Sequence, residues 1–352
     1  MEVEHFVRID QTTGRPKVSP PKSWSTPNSH FLTVLHEPWY KTVMHIQSTV
    51  SVATTEFWIQ RGAQILCLPI TTGSVSSPSA VGSDSIPVPV SIFGVHTYLA
   101  DSMQFLLEYG CRLSPEGCFY LMPSFRGEDV DSSHLAQFFH SEVELVGTLD
   151  DVMEAAEDYI RFLASRILER HDTLVMDAAG TIEHLKKVVQ TLSFPRISFS
   201  KAVELLGDNP EWITINAVGG RIISRKGEQR LMQTLGSPVW LTKMDHLSVP
   251  FYQAFDGDDL RTARNADLLM GIGEILGAGE RHASIKDARH ALEVHSVSEV
   301  DYEWYLMMKQ LYPLRTAGFG MGVERFLLWV LQHDDIRDIP LLLRVNGQQI
   351  NP

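Results

Sequence analysis

Cysteine is nearly missing from this chain: Cys67, Cys111 and Cys118 are the only three in 352 residues. Their spacing fits no metal-binding pattern, and an odd, sparse set suits a reducing compartment. No apolar run is long enough to cross a bilayer, although 44% of the residues are apolar. The first thirty residues carry charges, prolines and polar groups and lack the apolar centre of a signal peptide. The expectation is a soluble, cytoplasmic protein with no membrane partner. Basic charge is also short, with 30 Lys and Arg against 43 Asp and Glu and a formal net charge of −13. That balance disfavours a broad nucleic-acid surface, because duplex binding rests on neutralising phosphates, but it leaves room for a local basic patch.

What is present reads as one large α/β domain behind a short arm. Residues 1–37 are rich in Pro, Ser and Thr and are expected to form an extended N-terminal arm; residues 38–352 form the domain. Pro38 to Gly62 places aromatic, Met, Ile and Val residues at helical spacing, and Gln64 to Ile70 reads as a strand. Residues 71–90 are rich in Ser, Gly and Pro and predict a mobile loop. Val90 to Tyr98, Cys118 to Phe125 and Phe138 to Leu145 read as strands, and Leu149 to Arg170 as an amphipathic helix. A short helix is expected over Lys201 to Leu206. Strands follow at Pro238 to Leu241, Asp267 to Met270 and Gly273 to Leu276. The fold class is α/β (α+β), with a largely antiparallel sheet flanked by helices.

Three clusters carry chemistry. Gly318-Phe319-Gly320-Met321-Gly322-Val323-Glu324-Arg325-Phe326 is a glycine-spaced strand entering a helix that opens on Glu-Arg. Such a strand lets backbone approach a nucleotide and aims a permanent cation at phosphate. Ser124-Phe125-Arg126-Gly127-Glu128 places Arg126 and Glu128 on alternate strand positions, a spacing that an ordinary surface ion pair also satisfies. Asp267 and Glu274, seven apart at strand ends, can share a Mg²⁺ with phosphates, and acids at strand ends are also commonplace.

In this order along the chain, the clusters resemble motifs 1, 2 and 3 of the class II aminoacyl-tRNA synthetases, in the aspartyl/asparaginyl branch, over roughly residues 38 to 346. The helix and strand from Pro38 to Ile70 resemble motif 1, the dimer-forming element, so a homodimer is expected. The resemblance implies ATP and Mg²⁺ as cofactors. It puts Arg126 on the α-phosphate and acyl carboxylate, Glu128 on the adenine amino group, Phe138 stacked on adenine and Arg325 on phosphate. His134 is placed near the γ-phosphate, Gly322 at the nucleotide, and Asp267 and Glu274 at the metal. Ser102, Gln104, Glu142 and Gly318 are placed around the amino acid, with Glu142 holding its amino group and Arg281 clamping its side chain. In Thr97 to Glu108, a lysine that an aspartate enzyme carries is Leu107, and a glutamate that an asparagine enzyme carries is Glu108. Glu108 could instead face solvent, one helical step off the pocket. Likewise, a histidine in a polar loop such as His134 is unremarkable by itself.

Three departures narrow the expectation. The arm is far shorter than the family's anticodon-binding β-barrel. The motif 2 loop, Asp129-Val130-Asp131-Ser132-Ser133, is acidic where the family usually places basic residues. Lys309-Gln310-Leu311-Tyr312-Pro313-Leu314-Arg315 lacks the family's usual Arg-Tyr-Gly and Pro-His. Nucleotide residues are kept and tRNA features are not. The chain therefore most resembles the stand-alone, AMP-forming asparagine synthetase-related branch. The expected activity is adenylation of aspartate, asparagine or a close analogue, with transfer to ammonia or another small amine and no tRNA. The alternatives are transfer to tRNA or a carrier supplied in trans, and a non-catalytic amino-acid or nucleotide sensor.

Overall fold

Pro38 supplies the first turn of a helix, where its missing N–H costs nothing, and helix α2 runs from there over Pro38–Gln60. It follows α1 (His30–His36) and two 3₁₀ turns at Ser23–Ser25 and Pro27–Ser29. The computed structural model describes residues 17–78, 85–207, 209–217, 219–257 and 260–350. Within the expected arm, residues 1–16 lie outside the described residues, and the chain from Ser23 to His36 forms short helices instead of an extended segment. The reason is local: Ser23 Oγ meets His30 Nδ1 and the Tyr40 hydroxyl at 2.8 Å each, and His30 is buried.

The remaining strands are β1 (Gln64–Ile65), β2 (Thr71–Thr72), β3 (Val88–Ile92), β4 (Val95–Leu99), β5 (Cys118–Phe125), β6 (Gln137–Val146), β7 (Arg196–Ser198), β8 (Ile213–Ile215), β9 (Arg221–Ile223), β10 (Val239–Thr242), β11 (Asn265–Met270), β12 (Gly273–Glu280) and β13 (Thr316–Gly322). The helices after α2 are α3 (Gln104–Gly110), α4 (Leu149–Ala179), α5 (Glu183–Gln190), α6 (Phe199–Leu206), α7 (Arg225–Leu235), α8 (Ile285–Val294), α9 (Glu303–Leu311) and α10 (Val323–Leu331). Eight strands form the main sheet in the order β1-β5-β6-β13-β12-β11-β10-β7. Its six central members are antiparallel, and the parallel pairs β1–β5 and β10–β7 close its two edges. Helices α2, α4 and α10 bury one face of this sheet in a core that includes Trp58, Tyr159, Phe319 and Phe326. The expected antiparallel sheet flanked by helices is what the chain forms.

Several boundaries differ from the sequence reading. The strand expected over residues 64–70 pairs only at Gln64–Ile65. The strand expected over 90–98 is a hairpin, because Phe93 (φ 54) and Gly94 (φ 78) turn the chain between β3 and β4. The loop expected over 71–90 contributes β2 and is tied down at Ser74 and Ser76, while residues 79–84 lie outside the described residues. Helix α4 extends to Ala179 through a break at His171. A Thr148–Asp151 capping box fixes its start. Among the described residues no helix is long and apolar enough to cross a membrane.

Candidate active site

The β5–β6 hairpin builds one wall. The Arg126 amide donates to the Ala136 carbonyl at 3.0 Å and closes the turn just beyond β5. Ser124 pairs with Phe138 across the hairpin, and the Arg126 guanidinium sits 5.3 Å above the Phe138 ring. Arg126 and Glu128 do not form the surface ion pair their spacing allowed. Arg126 Nε and Glu128 Oε2 are buried without a hydrogen-bond partner among the described residues. Leaving a buried cationic donor and a buried carboxylate oxygen open is costly, so both fit a polar ligand with an acceptor and a donor to offer. Behind this wall the buried Glu324 of α10 accepts from the Phe139 amide at 3.0 and 3.2 Å, and burial pushes its carboxyl up to about 7. His134 lies farther out: it is exposed and tied to Asp131 at 3.0 Å.

A second wall is acidic. Asp267 on β11 and Glu274 on β12 converge above Gly277, where an added Cβ would lie 3.0 Å from Glu274 Oε1 and 3.5 Å from Asp267 Oδ1. Glu228 of α7 joins them by accepting from the Glu274 amide at 3.1 Å. Burial and then the neighbouring Glu274 push Glu228 up to about 7. Burial, Glu274 and Glu228 likewise hold Asp267 well above the ordinary aspartate range. Arg325 opposes this repulsion and donates to the Glu274 carbonyl at 2.7 Å. Arg225, half-buried nearby, is lowered by burial and by Arg325. Among the described residues no group of three or more His, Cys, Asp and Glu has the arrangement of an all-protein metal site. The Asp267–Glu274 pair instead fits an ion shared with an anionic ligand, since the clustered acids lack enough positive charge of their own.

The third region is a set of interlocked ion pairs. Glu142 accepts from Ser102 Oγ at 2.7 Å and from the Tyr120 hydroxyl, and lies 3.1 Å from His140 Nδ1, which also meets Ser124 Oγ at 2.9 Å. Burial would raise its pKa, but His140, Tyr120 and Ser102 outweigh burial and keep it below the usual glutamate value. Gln104 donates to the Val143 carbonyl at 2.9 Å and to Glu144. Glu144 in turn binds Arg281 at 2.9 Å. Gly318 leaves room for this network, because a Cβ there would stand 2.1 Å from Glu144 Oε2. Glu108 does not face solvent. It is buried against Lys309 Nζ and the Tyr305 hydroxyl at 2.6 Å each, with Arg112 at 3.5 Å.

One cavity of about 280 Å³ joins these regions. Of the residues selected from sequence, Ser102, Gln104, Arg126, Glu142, Asp267, Glu274 and Arg281 line it. Glu128, His134, Phe138, Gly318, Gly322, Arg325 and Glu108 do not. Phe138 and Arg325 touch its lining through Arg126 and Glu274, whereas Glu108 lies behind it, engaged by Lys309. The sequence reading missed Glu228, His140, Gln253 and Arg221, which also line the cavity. Only His140 carried a signal, at the alternate position before Glu142 on a legible strand.

The family described as tRNA synthetases class II (D, K and N) matches residues 26–345. An asparagine–tRNA ligase of Thermococcus kodakarensis is 30% identical over 312 residues, covering 86% of this chain and 69% of the relative. One from Koribacter versatilis is 27% identical over 329 residues, covering 89% and 72%. The crystal structure of the Pyrococcus horikoshii asparaginyl-tRNA synthetase with asparaginyl-adenylate superposes with a TM-score of 0.82 at 26% identity. It covers 92% of this chain and 73% of that one.

Proposed function

The chain belongs to the class II tRNA synthetases (D, K and N), and from that premise we propose that it uses ATP to adenylate aspartate, asparagine or a close analogue and passes the acyl group to ammonia or another small amine. The observation that carries this reading is the continuity of the site: Arg126, Glu142, Asp267 and Glu274 line one cavity. The open Arg126 Nε is the donor for the α-phosphate and the attacking carboxylate. The open Glu128 Oε2 is the acceptor for an adenine amino group, with Phe138 as its stacking face. Glu142, kept anionic by His140, Tyr120 and Ser102, takes the substrate ammonium. Asp267 and Glu274 would hold Mg²⁺, which supplies charge neutralisation on the phosphates. Arg325 adds a fixed cation beside them. Such a site works by positioning and electrostatics and needs no general base for the first half-reaction, because the attacking carboxylate is already ionised.

The small-amine acceptor rests on the motif 2 loop. Its Asp129 and Asp131 put negative charge in the connection between β5 and β6, the hairpin that carries Arg126, and so disfavour an incoming phosphodiester. The C-terminal segment also pins it: Val130 N donates to Asn346 Oδ1 at 3.3 Å, Asn346 Nδ2 to the Glu128 carbonyl at 3.1 Å, and Ile336 N to the Ser132 carbonyl at 3.0 Å. The names of the relatives favour a second reading, aminoacyl transfer to tRNA. We also propose a homodimer through α2, whose Met44, Val52 and Ile59 are exposed apolar residues.

The test is amino-acid-dependent exchange of labelled pyrophosphate into ATP with Mg²⁺ and no tRNA, followed by offering ammonia, hydroxylamine or tRNA. Exchange followed by amide formation supports the proposal. Exchange with transfer only to tRNA moves the chain to the second reading, and no exchange with any acid counts against adenylation of these acids and points to a required second substrate, an unusual acid or a sensor.

A further inference from the structure

We propose that Gln253 is a specificity-determining residue, whose carboxamide N–H reads an oxygen on the acyl substrate's side chain and selects a neutral, carboxamide-type side chain over a carboxylate. This rests on the amino-acid site assigned above. Gln253 lines the cavity beside Tyr252 and Arg281. Its backbone is fixed from three directions: the amide donates to the Pro250 carbonyl at 3.1 Å, the carbonyl meets His246 Nε2 at 2.8 Å, and the residue bridges to Arg281.

The side chain is fixed as well. Arg281 Nη1 donates to Gln253 Oε1 at 3.2 Å. A guanidinium only donates, so the atom facing it must be the carbonyl oxygen, and the NH₂ end is thereby set on the other side. That Nε2 has no hydrogen-bond partner among the described residues and belongs to a side chain that opens on the cavity. Gly279 makes the placement possible, since an added Cβ there would stand 1.5 Å from Gln253 Oε1.

Charge decides which oxygen suits this donor. Arg281 is already matched by Glu144 at 2.9 Å, with both side chains sealed from solvent. Lys309 and Arg112 lie behind the cavity on Glu108, at 2.6 and 3.5 Å. Facing the cavity, Asp101 is an additional anion, and Glu142 is reserved for the substrate ammonium. Of the other cations that line the cavity, Arg221 is held by Asp245 at 2.7 Å, and Arg126 is assigned to the α-phosphate and the attacking carboxylate. A carboxylate side chain would therefore bring negative charge with no free partner, whereas a carboxamide oxygen needs only the neutral donor that Gln253 offers.

The experiment measures pyrophosphate exchange with asparagine and with aspartate for the wild type, Gln253→Met and Gln253→Glu. It is paired with calorimetric binding of each acid. The expected wild type favours asparagine by at least about tenfold in kcat/KM. Gln253→Met lowers that value for asparagine by about 10- to 100-fold while the KM for ATP stays within about twofold. A wild type that prefers aspartate, or an asparagine KM unchanged in Gln253→Met, overturns the inference. If Gln253→Met does not fold, the wild-type preference and the loss in Gln253→Glu decide. Exchange unaffected by Gln253→Met rejects this residue and leaves adenylation standing. No exchange, with asparagine binding still weakened by Gln253→Met, rejects adenylation and leaves Gln253 standing.

Discussion

Arg281 and Glu144 form an ion pair at 2.9 Å with their side chains only 3% and 0% exposed. The pair joins the end of β12, one residue past Glu280, to β6 across the intervening strand β13, and Gln104 and Gln253 both bond to it. Burial works against each charge with unequal result: Arg281 is held above the usual arginine value because Glu144 outweighs burial, whereas Glu144 stays above the usual glutamate value because burial outweighs Arg281. Removing one member leaves the other buried and unmatched. Arg281→Met is expected to cost about 3–5 kcal/mol in urea unfolding, and adding Glu144→Leu is expected to recover part of that loss. Equal stability of Arg281→Met and the wild type would show the pair to be energetically idle.

Arg325 reaches the acidic wall through its 2.7 Å bond to the Glu274 carbonyl. Its charge offsets Glu228 and Asp267 and would meet phosphate when nucleotide binds. Arg325→Ala is expected to lower pyrophosphate exchange by at least about 100-fold with an unchanged circular dichroism spectrum. Full exchange in a folded variant would remove Arg325 from the nucleotide site.

Glu228 gives a pH test with a definite sign. Its ordinary value is 4.5, and burial with Glu274 nearby lifts it to about 7. Between those values the folded protein keeps a proton that the unfolded chain has released. The resulting stability is complete below about pH 4.5 and is lost as pH rises through about 7. Glu228→Gln keeps the neutral form at every pH. Without nucleotide or metal, its melting temperature should match the wild type near pH 5 and exceed it by a few degrees at pH 8. An offset that does not change with pH would contradict the shift. Burial lowers His246 and His282 to about 3 and His295 to about 4, so their effect on stability runs from there to the ordinary 6.5; it is common to both proteins, and the difference cancels it.

What was legible in the sequence follows from distance along the chain. Asp267 and Glu274 could be paired because β11 and β12 are joined by a two-residue turn, Gly271-Ile272, so seven positions cover one hairpin. Arg126, Glu128, Phe138 and Glu142 were legible for the same reason, as neighbours on β5 and β6. Glu228 was not, because α7 reaches the acids from 46 residues away and no local period marks it. Glu108 shows the limit of local reading. Its place four residues after Gln104 was visible, but its buried partner Lys309, 201 residues later, was not. The β3–β4 turn was the readable feature that was missed, since Gly94 lies in the middle of the proposed strand and supplies a positive φ.

Two glycines of the same strand make opposite predictions. At Gly318 an added Cβ would lie 2.1 Å from Glu144 Oε2, 2.3 Å from the Val143 carbonyl oxygen and 2.4 Å from Gln104 Nε2. None of the three can move freely, because Glu144 is locked to Arg281, Val143 belongs to the sheet, and Gln104 bridges both. Gly318→Ala is therefore expected to cost about 2–3 kcal/mol and to weaken binding of the amino acid. At Gly322 the same Cβ meets only Arg325 side-chain atoms at 3.8 to 3.9 Å, and φ is −71, which any residue adopts. Gly322→Ala should change stability by less than about 0.5 kcal/mol. If the nucleotide passes against this backbone, however, the methyl should raise the KM for ATP by about tenfold while the KM for the amino acid holds. A stable Gly322→Ala with an unchanged ATP requirement would place the nucleotide away from the strand end and leave Gly318 alone as the glycine the site requires.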